Sequence, residues 1–348
     1  MIPYCSGMTE PMIMSETPEL PRPRGPLSGF LVDALRRPAH DLGRGPGPAG
    51  GPLDGEDFQL SLYVLYELHY RGFAGVDEMW EWDPSLVALR AGLERAFESA
   101  LRRALPAEPE PVADVAEYLT TLLAHAEGPS LSRFLETQAG LDQFLEFLIH
   151  RSAYQLKEAD PHSFAIARLS GRSKVALVEI QSDEYGGGRA ERQHSRLFAN
   201  TMAALGLDPH YGAYLDQIPA VTLATVNLMT MFGIHRRLRG AIVGHLALLE
   251  MDSTQPNRRY GNALRRLGHP EATDFFDEHV EADAVHEAIA AHDLAGALAV
   301  DDPAVAPDIV FGARAMLLLD LAMARRVMAC WERGESSLLQ PSAQTVAG

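Results

Sequence analysis

Apolar residues recur at intervals of three and four positions from Asp57 onward, and this spacing restricts the fold more than any other feature of the sequence. It is clearest in segments 57–73, 83–106 and 111–127. Residues three or four apart lie on the same face of an α-helix, so each segment predicts a helix with one buried side. Period-two alternation of β-branched residues is nearly absent. The sequence therefore predicts an all-α fold.

Capping residues and further apolar patterns indicate where individual helices begin and end. Asp83 followed by Pro84 favours a helix start, because aspartate accepts hydrogen bonds from free backbone N–H groups and proline fits the first turn. Further helices are predicted over residues 130–138, 141–158, 219–250 and 304–332. The last of these is expected to pack in the core, and nothing in its pattern explains Asp320.

The two ends of the chain differ from the helical part. Residues 1–55 are rich in proline and glycine and have little apolar periodicity, which predicts a disordered or loosely attached tail. Residues 56–335 are predicted to form one helical domain. Within it, residues 56–130 would form N-terminal helices and residues 131–335 the core. Residues 336–348 are expected to be a flexible C-terminal tail.

Charge and cysteine content exclude several classes of function. The formal net charge of −17 argues against nucleic acids and acidic membrane surfaces as partners, since both attract basic proteins. Cys5 and Cys330 lie near opposite ends, without a CxxC pair or a disulfide framework. The N-terminus does not resemble a signal peptide, and no apolar run reaches membrane-spanning length. We therefore expect a cytoplasmic protein that acts on small molecules or proteins.

One predicted helix, within residues 273–292, carries three potential metal ligands on a single line. His279, Asp283 and His286 are four and then three residues apart, so they fall within roughly 60° around the helix. The apolar residues of the segment flank this line on both sides. Ionisable groups on a buried face need partners or a metal ion. The alternative is an ordinary core histidine with incidental helix polarity.

A second stretch combines acidic residues, glycines and a histidine. Glu184 precedes glycines 186–188, and His194 follows ten residues after Glu184, where a new apolar pattern begins. Glycines at this density suggest a break or a close helix approach. Glu191 and His194 also form an ExxH pair, a spacing used in helical bundles that bind two metals. Glu184 and Glu191 are thus both candidate ligands, and either could equally be a surface charge.

A third candidate ligand ends the predicted helix 219–250. Glu250 lies in line with the apolar residues of that segment, so its side chain is expected to point inward. Arg236 and Arg239 share this face and are candidates for binding a substrate carboxylate, although pairing with acids of the protein is the other interpretation. His235 and His245 lie off the line and are interpreted as structural.

Together these segments supply three carboxylates and three imidazoles. Oxygen and nitrogen ligands without a thiolate suit iron or manganese, and six ligands suit two metal ions better than one. A di-iron centre is the economical interpretation. A zinc hydrolase is the rival, but a hydrolytic zinc usually takes three protein ligands. The predicted metal ligands are Glu184, His194, Glu250, His279, Asp283 and His286.

The order and spacing of these residues resemble the haem-oxygenase-like di-metal oxidases and oxygenases, often described as iron-containing redox enzymes. The shared motifs are an E-[LY]-G-x-G segment with a histidine ten residues after the glutamate, a lone glutamate ending a long helix, and H-x3-D-x2-H. The resemblance covers roughly residues 140–335. It implies a bundle of about seven core helices, here with additional N-terminal helices, and a site for two Fe2+ ions or a mixed Mn/Fe pair.

The resemblance also implies roles for single residues. The residue matching Glu184 bridges the two metals in the family, and the N-oxygenating members have a further glutamate on the preceding helix. Glu158 lies at about the right distance upstream, with Glu179 as a competing candidate. Glu184 and Glu158 are therefore the residues predicted to be catalytic.

The function that the resemblance implies is O2-dependent oxidation of a small molecule in secondary metabolism. Amine N-oxygenation and oxidative C–C or C–H cleavage of an amino or fatty acid both stay open. The expected partners are O2, the substrate and an electron donor, and a homodimer is considered as well. The alternatives are a metal-free haem-oxygenase-like or thiaminase-like protein, a zinc hydrolase, and a structural protein in which the histidine stripe is incidental.

Overall fold

The computed structural model describes residues 17–106 and 112–340, without the side chains of Asp283 and Ala284. In these ranges the chain is helical and contains no strand, which confirms the predicted all-α class. The α-helices are α1 (Pro26–Leu35), α2 (Glu56–Glu67), α3 (Pro84–Ala104), α4 (Val115–Ala124), α5 (Leu131–Thr137), α6 (Leu141–Gln155), α7 (Asp160–Ser163), α8 (Gly171–Glu184), α9 (His194–Ala204), α10 (Ala220–Ile234), α11 (Arg239–Met251), α12 (Thr254–Leu267), α13 (Asp274–Ala288), α14 (Ala297–Asp301) and α15 (Ala306–Glu332). A π-helical segment, Ile289–Gly296, joins α13 to α14.

Helices α11 and α15 approach each other closely in the centre of the bundle. A Cβ atom at Gly244 would meet the backbone carbonyl of Ile309, and one at Gly312 would meet that of Ala241. Only glycine permits backbones to come this near, so these two residues fix the position of α11. The C-terminal end of α11 carries Glu250, which is therefore held inside the bundle at 5% exposure.

The helix predicted over residues 219–250 is in fact two helices. The chain is extended at His235, and a 3-10 turn, Arg236–Leu238, leads into α11. The break lets His235 pair with Glu94 of α3, 2.9 Å from Nε2 to Oε2. The prediction that Arg236 and Glu250 share one helix face assumed a straight helix, and it is wrong for Arg236. The prediction that Glu250 points inward is confirmed by its burial.

The predicted N-terminal tail is partly an ordered element. Three residues of α1, Leu27, Leu31 and Leu35, are fully buried at four-residue spacing. The carboxylate of Asp57 accepts hydrogen bonds from the backbone N–H groups of Leu27 and Ser28, at 3.1 and 2.7 Å, and so caps α1. The structure thus differs from the expected loose tail over residues 17–55, while residues 1–16 lie outside the described part. The division at residue 130 stays a prediction.

The start of the predicted C-terminal tail is also packed against the bundle. Ser337 is 1% exposed, and its hydroxyl lies 3.0 Å from Nε2 of His150 and 2.6 Å from Oε2 of Glu146. The other ring nitrogen of His150 lies 2.8 Å from the Thr222 hydroxyl. Residues 336–340 therefore differ from the expected flexible segment, and residues 341–348 lie outside the described part.

Acidification is expected to destabilise the fold through His150. Burial lowers the pKa of this ring to about 4, against an ordinary value of 6.5. As the pH falls, His150 therefore binds a proton in the unfolded chain before it does so in the folded protein. The contribution of the neutral His150 ring to the free energy of unfolding is complete above pH 6.5 and is lost as the pH falls toward 4. Between about pH 7.5 and 5 the loss is on the order of 2 kcal/mol. Urea unfolding should show that His150→Gln reduces the pH dependence by about this amount, and equal slopes would contradict the assignment.

No helix in residues 17–106 and 112–340 is long and apolar enough to cross a membrane.

Candidate metal centre

Six buried side chains, from the turn after α6 and from α8, α9, α11 and α13, converge and form two groups. Within each group one potential ligand atom per residue lies within 4.8 Å of the others. The first group consists of Glu158, Glu184, His194 and His279, and the second of Glu184, Glu250 and His286. Glu184 belongs to both groups, as a bridging carboxylate would.

The turn after α8 brings Glu184 and His194 together. α8 ends at Glu184, and glycines 186–188 all have positive φ, between 60° and 80°. At Gly186 a Cβ atom would also lie 2.6 Å from the backbone carbon of Arg192. The chain therefore reverses tightly and starts α9 at His194, whose Nδ1 lies 3.0 Å from Oε2 of Glu184. The glycine-rich spacing in the sequence is what makes this geometry possible.

His279 is oriented by its own helix. Its Nδ1 lies 2.8 Å from the Phe275 carbonyl, which can only accept, so Nδ1 carries the proton. Nε2 then faces Oε1 of Glu158 at 3.4 Å. The ring also packs against Phe275 and His194, with centroids 4.3 Å apart in both cases. The tautomer that could bind a metal through Nε2 is thus fixed by the backbone.

His286 is oriented by a carboxylate that the sequence did not single out. Its Nε2 lies 3.0 Å from Oδ2 of Asp183, while Nδ1 lies 3.4 Å from Oε2 of Glu250. Burial lowers the pKa of His286, but the hydrogen bond that the ring donates to Glu250 and its contact with Asp183 raise this pKa to about 9. At metal sites a histidine commonly contacts a carboxylate through the ring nitrogen that does not bind the metal, as Nε2 of His286 contacts Asp183. The only signal in the sequence was the position of Asp183 beside Glu184.

Glu158 carries a buried oxygen atom that suits a bound cation. Burial raises the pKa of its carboxyl, His279 opposes this shift, and Glu184 strengthens it. Its Oε2 is buried and accepts no hydrogen bond from the described residues. Burial likewise raises the pKa of Glu250. Carboxylates crowded together in this way repel one another, so a divalent ion would stabilise them.

The donor chemistry of the two groups fits iron. Carboxylate oxygens and imidazole nitrogens, without thiolates, are ligands for Fe2+ and Mn2+ in proteins. Each group includes at least one imidazole and two carboxylates. The residues present therefore suit a cationic metal centre.

Two glutamates that the sequence offered as competing candidates, Glu191 and Glu179, lie outside the cluster. Asp283 lies on α13 between His279 and His286, but its side chain is outside the described residues. Glu191 is exposed, so the ExxH pair does not form a site, and Glu179 is exposed where Glu158 is buried. Glu191 lies in the 3-10 turn Ala190–Arg192 that precedes α9, so the spacing of an α-helix does not apply to the ExxH pair.

The two arginines proposed to bind substrate lie elsewhere. Arg236 is exposed, and Arg239 pairs with Asp302 at 2.6 Å. Both lie at the N-terminal side of α11, at the opposite end of that helix from Glu250, and neither lines the cavity at the cluster. The structure therefore favours the other interpretation, pairing with acids of the protein, for Arg239.

A cavity of about 340 Å³ reaches the cluster. Glu158, Glu184, Glu250 and His279 line it, together with apolar side chains that include Phe147, Phe198, Phe275, Leu246 and Met316. This volume lies within the range of roughly 300–1,000 Å³ usual for sites that bind small molecules. Away from the cluster, the wall also includes Arg151, Asp252, Tyr260 and Asp320.

Comparisons with known proteins support a redox enzyme family for this chain. A sequence profile described as iron-containing redox enzyme matches residues 145–321, about half of the chain. A nitrosourea synthase from Streptomyces achromogenes subsp. streptozoticus is 27% identical over 159 residues. That alignment covers 45% of this chain and 34% of the relative, so the chain matches about a third of the relative's length.

Proposed function

This chain belongs to the iron-containing redox enzyme family, and from that premise we propose that it is a non-haem di-iron enzyme that uses O2 to oxidise a small molecule. The family membership confirms the resemblance and the haem-oxygenase-like fold predicted from the sequence. The observation that carries the di-iron proposal is the position of Glu184 in both ligand groups. A carboxylate shared in this way suits two neighbouring ions.

In this proposal each ion has its own residues. Glu158, His194 and His279 would hold one iron, Glu250 and His286 the other, and Glu184 would bridge them. Asp283 is the expected further ligand. Bound iron would supply the electrons and the open coordination positions for O2 that amino-acid side chains lack.

The protein's own residues prepare the site for this chemistry. The buried carboxylates offset the charge of the ions, and the Phe275 carbonyl and Asp183 hold the two histidine rings in the orientation that binding needs. Phe147, Phe198 and Phe275 provide apolar surface in the cavity wall where the substrate would lie. The substrate would then be selected by the shape and charge of the cavity.

Amine N-oxygenation is the reaction that we favour. The relative is named for making a nitrosourea, a product with an oxidised nitrogen, and Glu158 lies in the first ligand group. Insertion of one oxygen atom into an N–H bond consumes O2, two electrons and two protons and releases water, so an external electron donor is part of the proposal. Oxidative C–C or C–H cleavage of an amino or fatty acid is the alternative. The cytoplasmic location and a role in secondary metabolism are further parts of this proposal.

An anaerobic Fe2+ titration followed by rapid mixing with O2 tests the proposal. We expect uptake of about two irons per chain and a transient visible absorption after mixing. Uptake of one ion without any reaction with O2 would favour a zinc hydrolase. Absence of tight metal binding would favour a metal-free relative of the fold.

A further inference from the structure

Exposed apolar side chains are concentrated on the helices next to the candidate metal centre. In residues 17–106 and 112–340 six large apolar side chains are exposed, and four of them are valines of α8, α13 and α14. We call these four residues the valine face: Val175, Val178, Val285 and Val300, which are 45–79% exposed. The other two, Met79 and Trp82, lie in the 3-10 turn Glu78–Trp82. Apolar side chains grouped on a surface commonly mark a site of interaction.

Two contacts hold α8 beside α13 and the π-helical segment. Arg172, near the start of α8, pairs with Asp293, and Asp183, near its end, contacts His286. The side chains of Arg172 and Asp183 are 69% and 56% exposed, so both contacts lie on the solvent side of the two helices. Val175 lies between them along α8, within about 80° of each around the helix. Since α14 also packs against α8, the valines of the three helices share one outer surface.

A single contact connects this surface to a candidate metal ligand. Oδ2 of the exposed Asp183 lies 3.0 Å from Nε2 of His286, whose ring is buried. The other ring nitrogen of His286 faces Glu250 in the second ligand group. Transfer of an electron between proteins slows steeply as the distance between donor and acceptor increases. An electron carrier bound at the valine face would be separated from the second ligand group by little more than one side chain.

The charge beside the valines is negative. Two ion pairs at this surface, Arg172–Asp293 and Arg192–Glu278, add no net charge. The charged residues next to the valines on α8, α13 and α14 that form no ion pair with a described residue are one base and four acids: Lys174, Glu179, Glu281, Glu287 and Asp301. A partner with a positive surface would therefore be attracted to the valine face.

We propose that the valine face is the docking surface of a small, positively charged electron-carrier protein. This inference rests on the proposed function, which consumes two electrons from an external donor, and it deepens that function by naming the partner and the place where it binds. Two reduced carriers would each give up one electron per turnover and leave in the oxidised form. Electron-transfer complexes have small interfaces, which suits four valines surrounded by charges.

Two other occupants fit this surface less well. An acidic carrier protein would be repelled by the four acids beside the valines. A second copy of this chain would bring its own net charge of −17 and the same four acids to the interface. Both are outcomes that the experiments below can distinguish from a basic carrier.

NMR spectroscopy of the metal-free protein tests the docking surface. The probe is ferric cytochrome c, a small basic haem protein whose paramagnetic iron broadens the signals of nearby nuclei. At low ionic strength, the methyl signals of the valine face should broaden, and that of the exposed Met79 should not. A [2Fe–2S] ferredoxin, which is acidic and also paramagnetic, should leave both sets of signals sharp.

Two double variants with equal changes in net charge separate local from overall attraction. Glu179→Lys with Glu281→Lys reverses charges beside the valines and should weaken cytochrome c binding at least about tenfold at low ionic strength. Asp142→Lys with Glu332→Lys makes the same change at exposed acids of α6 and α15 and should weaken it no more than about threefold. Calorimetric titration of the metal-free proteins gives the affinities.

A second pair of double variants tests the apolar contact. Val178→Gln with Val285→Gln should weaken binding about fivefold, because apolar surface is lost from the interface. Glutamine favours a helix more than valine does, so these variants should fold. Met79→Gln with Trp82→Gln removes the other exposed apolar side chains and should leave the affinity unchanged.

Electron entry is measured by stopped flow on the oxidised, iron-loaded protein. Reduction by a cationic viologen radical should become several-fold slower in Glu179→Lys with Glu281→Lys. Reduction by a sulfonated, anionic viologen radical should become faster in the same variant, since the surface is then less negative. Equal rates in the variant and the wild type for both reductants would contradict entry at this surface.

Four results would overturn the docking assignment. These are no binding of cytochrome c, equal effects of the two charge-reversing double variants, tighter binding of the ferredoxin, and self-association of the chain that Val178→Gln with Val285→Gln abolishes. Iron uptake is measured separately on the same preparations. Two irons without docking at the valine face would contradict only the docking assignment, and docking there without two irons would contradict only the di-iron function.

Discussion

Glu184→Ala is expected to abolish the uptake of two irons, leaving at most about one weakly bound iron per chain. The substitution removes the one carboxylate that belongs to both ligand groups, and so it weakens both positions at once. Changes to residues behind the ligands already weaken metal affinity by about 10- to 100-fold, so loss of a shared ligand should exceed that range. The measurement is an anaerobic Fe2+ titration with iron analysis after desalting.

The stability of the metal-free variant separates loss of a ligand from misfolding. Burial is the main cause of the raised pKa of Glu158 and of Glu250, and the negative charge of Glu184 raises both further, so its removal relieves repulsion in the metal-free protein. Metal-free Glu184→Ala should therefore unfold within a few degrees of the wild type. Glu191→Ala, at an exposed glutamate nearby, should keep two irons. A Glu184→Ala variant that still binds two irons tightly would contradict the bridging role.

The sequence spacing correctly predicted those pairs of site residues that lie close together in the chain. His279 and His286 lie on one face of α13, and Glu184 and His194 are joined by a single turn. The periodicity of a helix and the backbone conformation of glycine depend on neighbouring residues, so both can be predicted from the local sequence. The contact between the two segments depends on the packing of distant helices, and the sequence suggested it only through their shared ligand chemistry and the family resemblance.

The residues that spacing misplaced depend on long-range geometry. The sequence pattern did not distinguish Glu179 from Glu158 as the further ligand. In the structure only Glu158 is buried. The projection that linked Arg236 to Glu250 assumed a straight helix, whereas the contact of His235 with Glu94 accompanies a break. α1 was missed because proline and glycine around it outweighed its short leucine pattern. At His235 and in α1, tertiary contacts overrode a local expectation, whereas Glu158 lies in the cluster as predicted.

Gly186→Ala is expected to lower the stability of the fold and to disturb iron binding at the group that contains His194. At φ 69° an alanine is strained, and its Cβ would lie 2.6 Å from the Arg192 carbon and 2.7 Å from the Gln193 nitrogen. Left-handed strain and this contact together should reduce the free energy of unfolding by roughly 2–4 kcal/mol. Relief of the contact would displace the backbone of Arg192 and Gln193, which directly precedes His194, and so would disturb the position of His194 beside Glu184.

Gly188→Ala provides the matched control, because it isolates backbone strain from the close contact. Gly188 also has a positive φ, 80°, but no atom lies within 4 Å of its Cβ position. The variant should lose only about 1–2 kcal/mol and should still bind two irons. Urea unfolding of the metal-free proteins and Fe2+ titration give the two quantities. If both variants behave alike, the turn tolerates a side chain at Gly186, and the tight reversal is not what holds His194 beside Glu184.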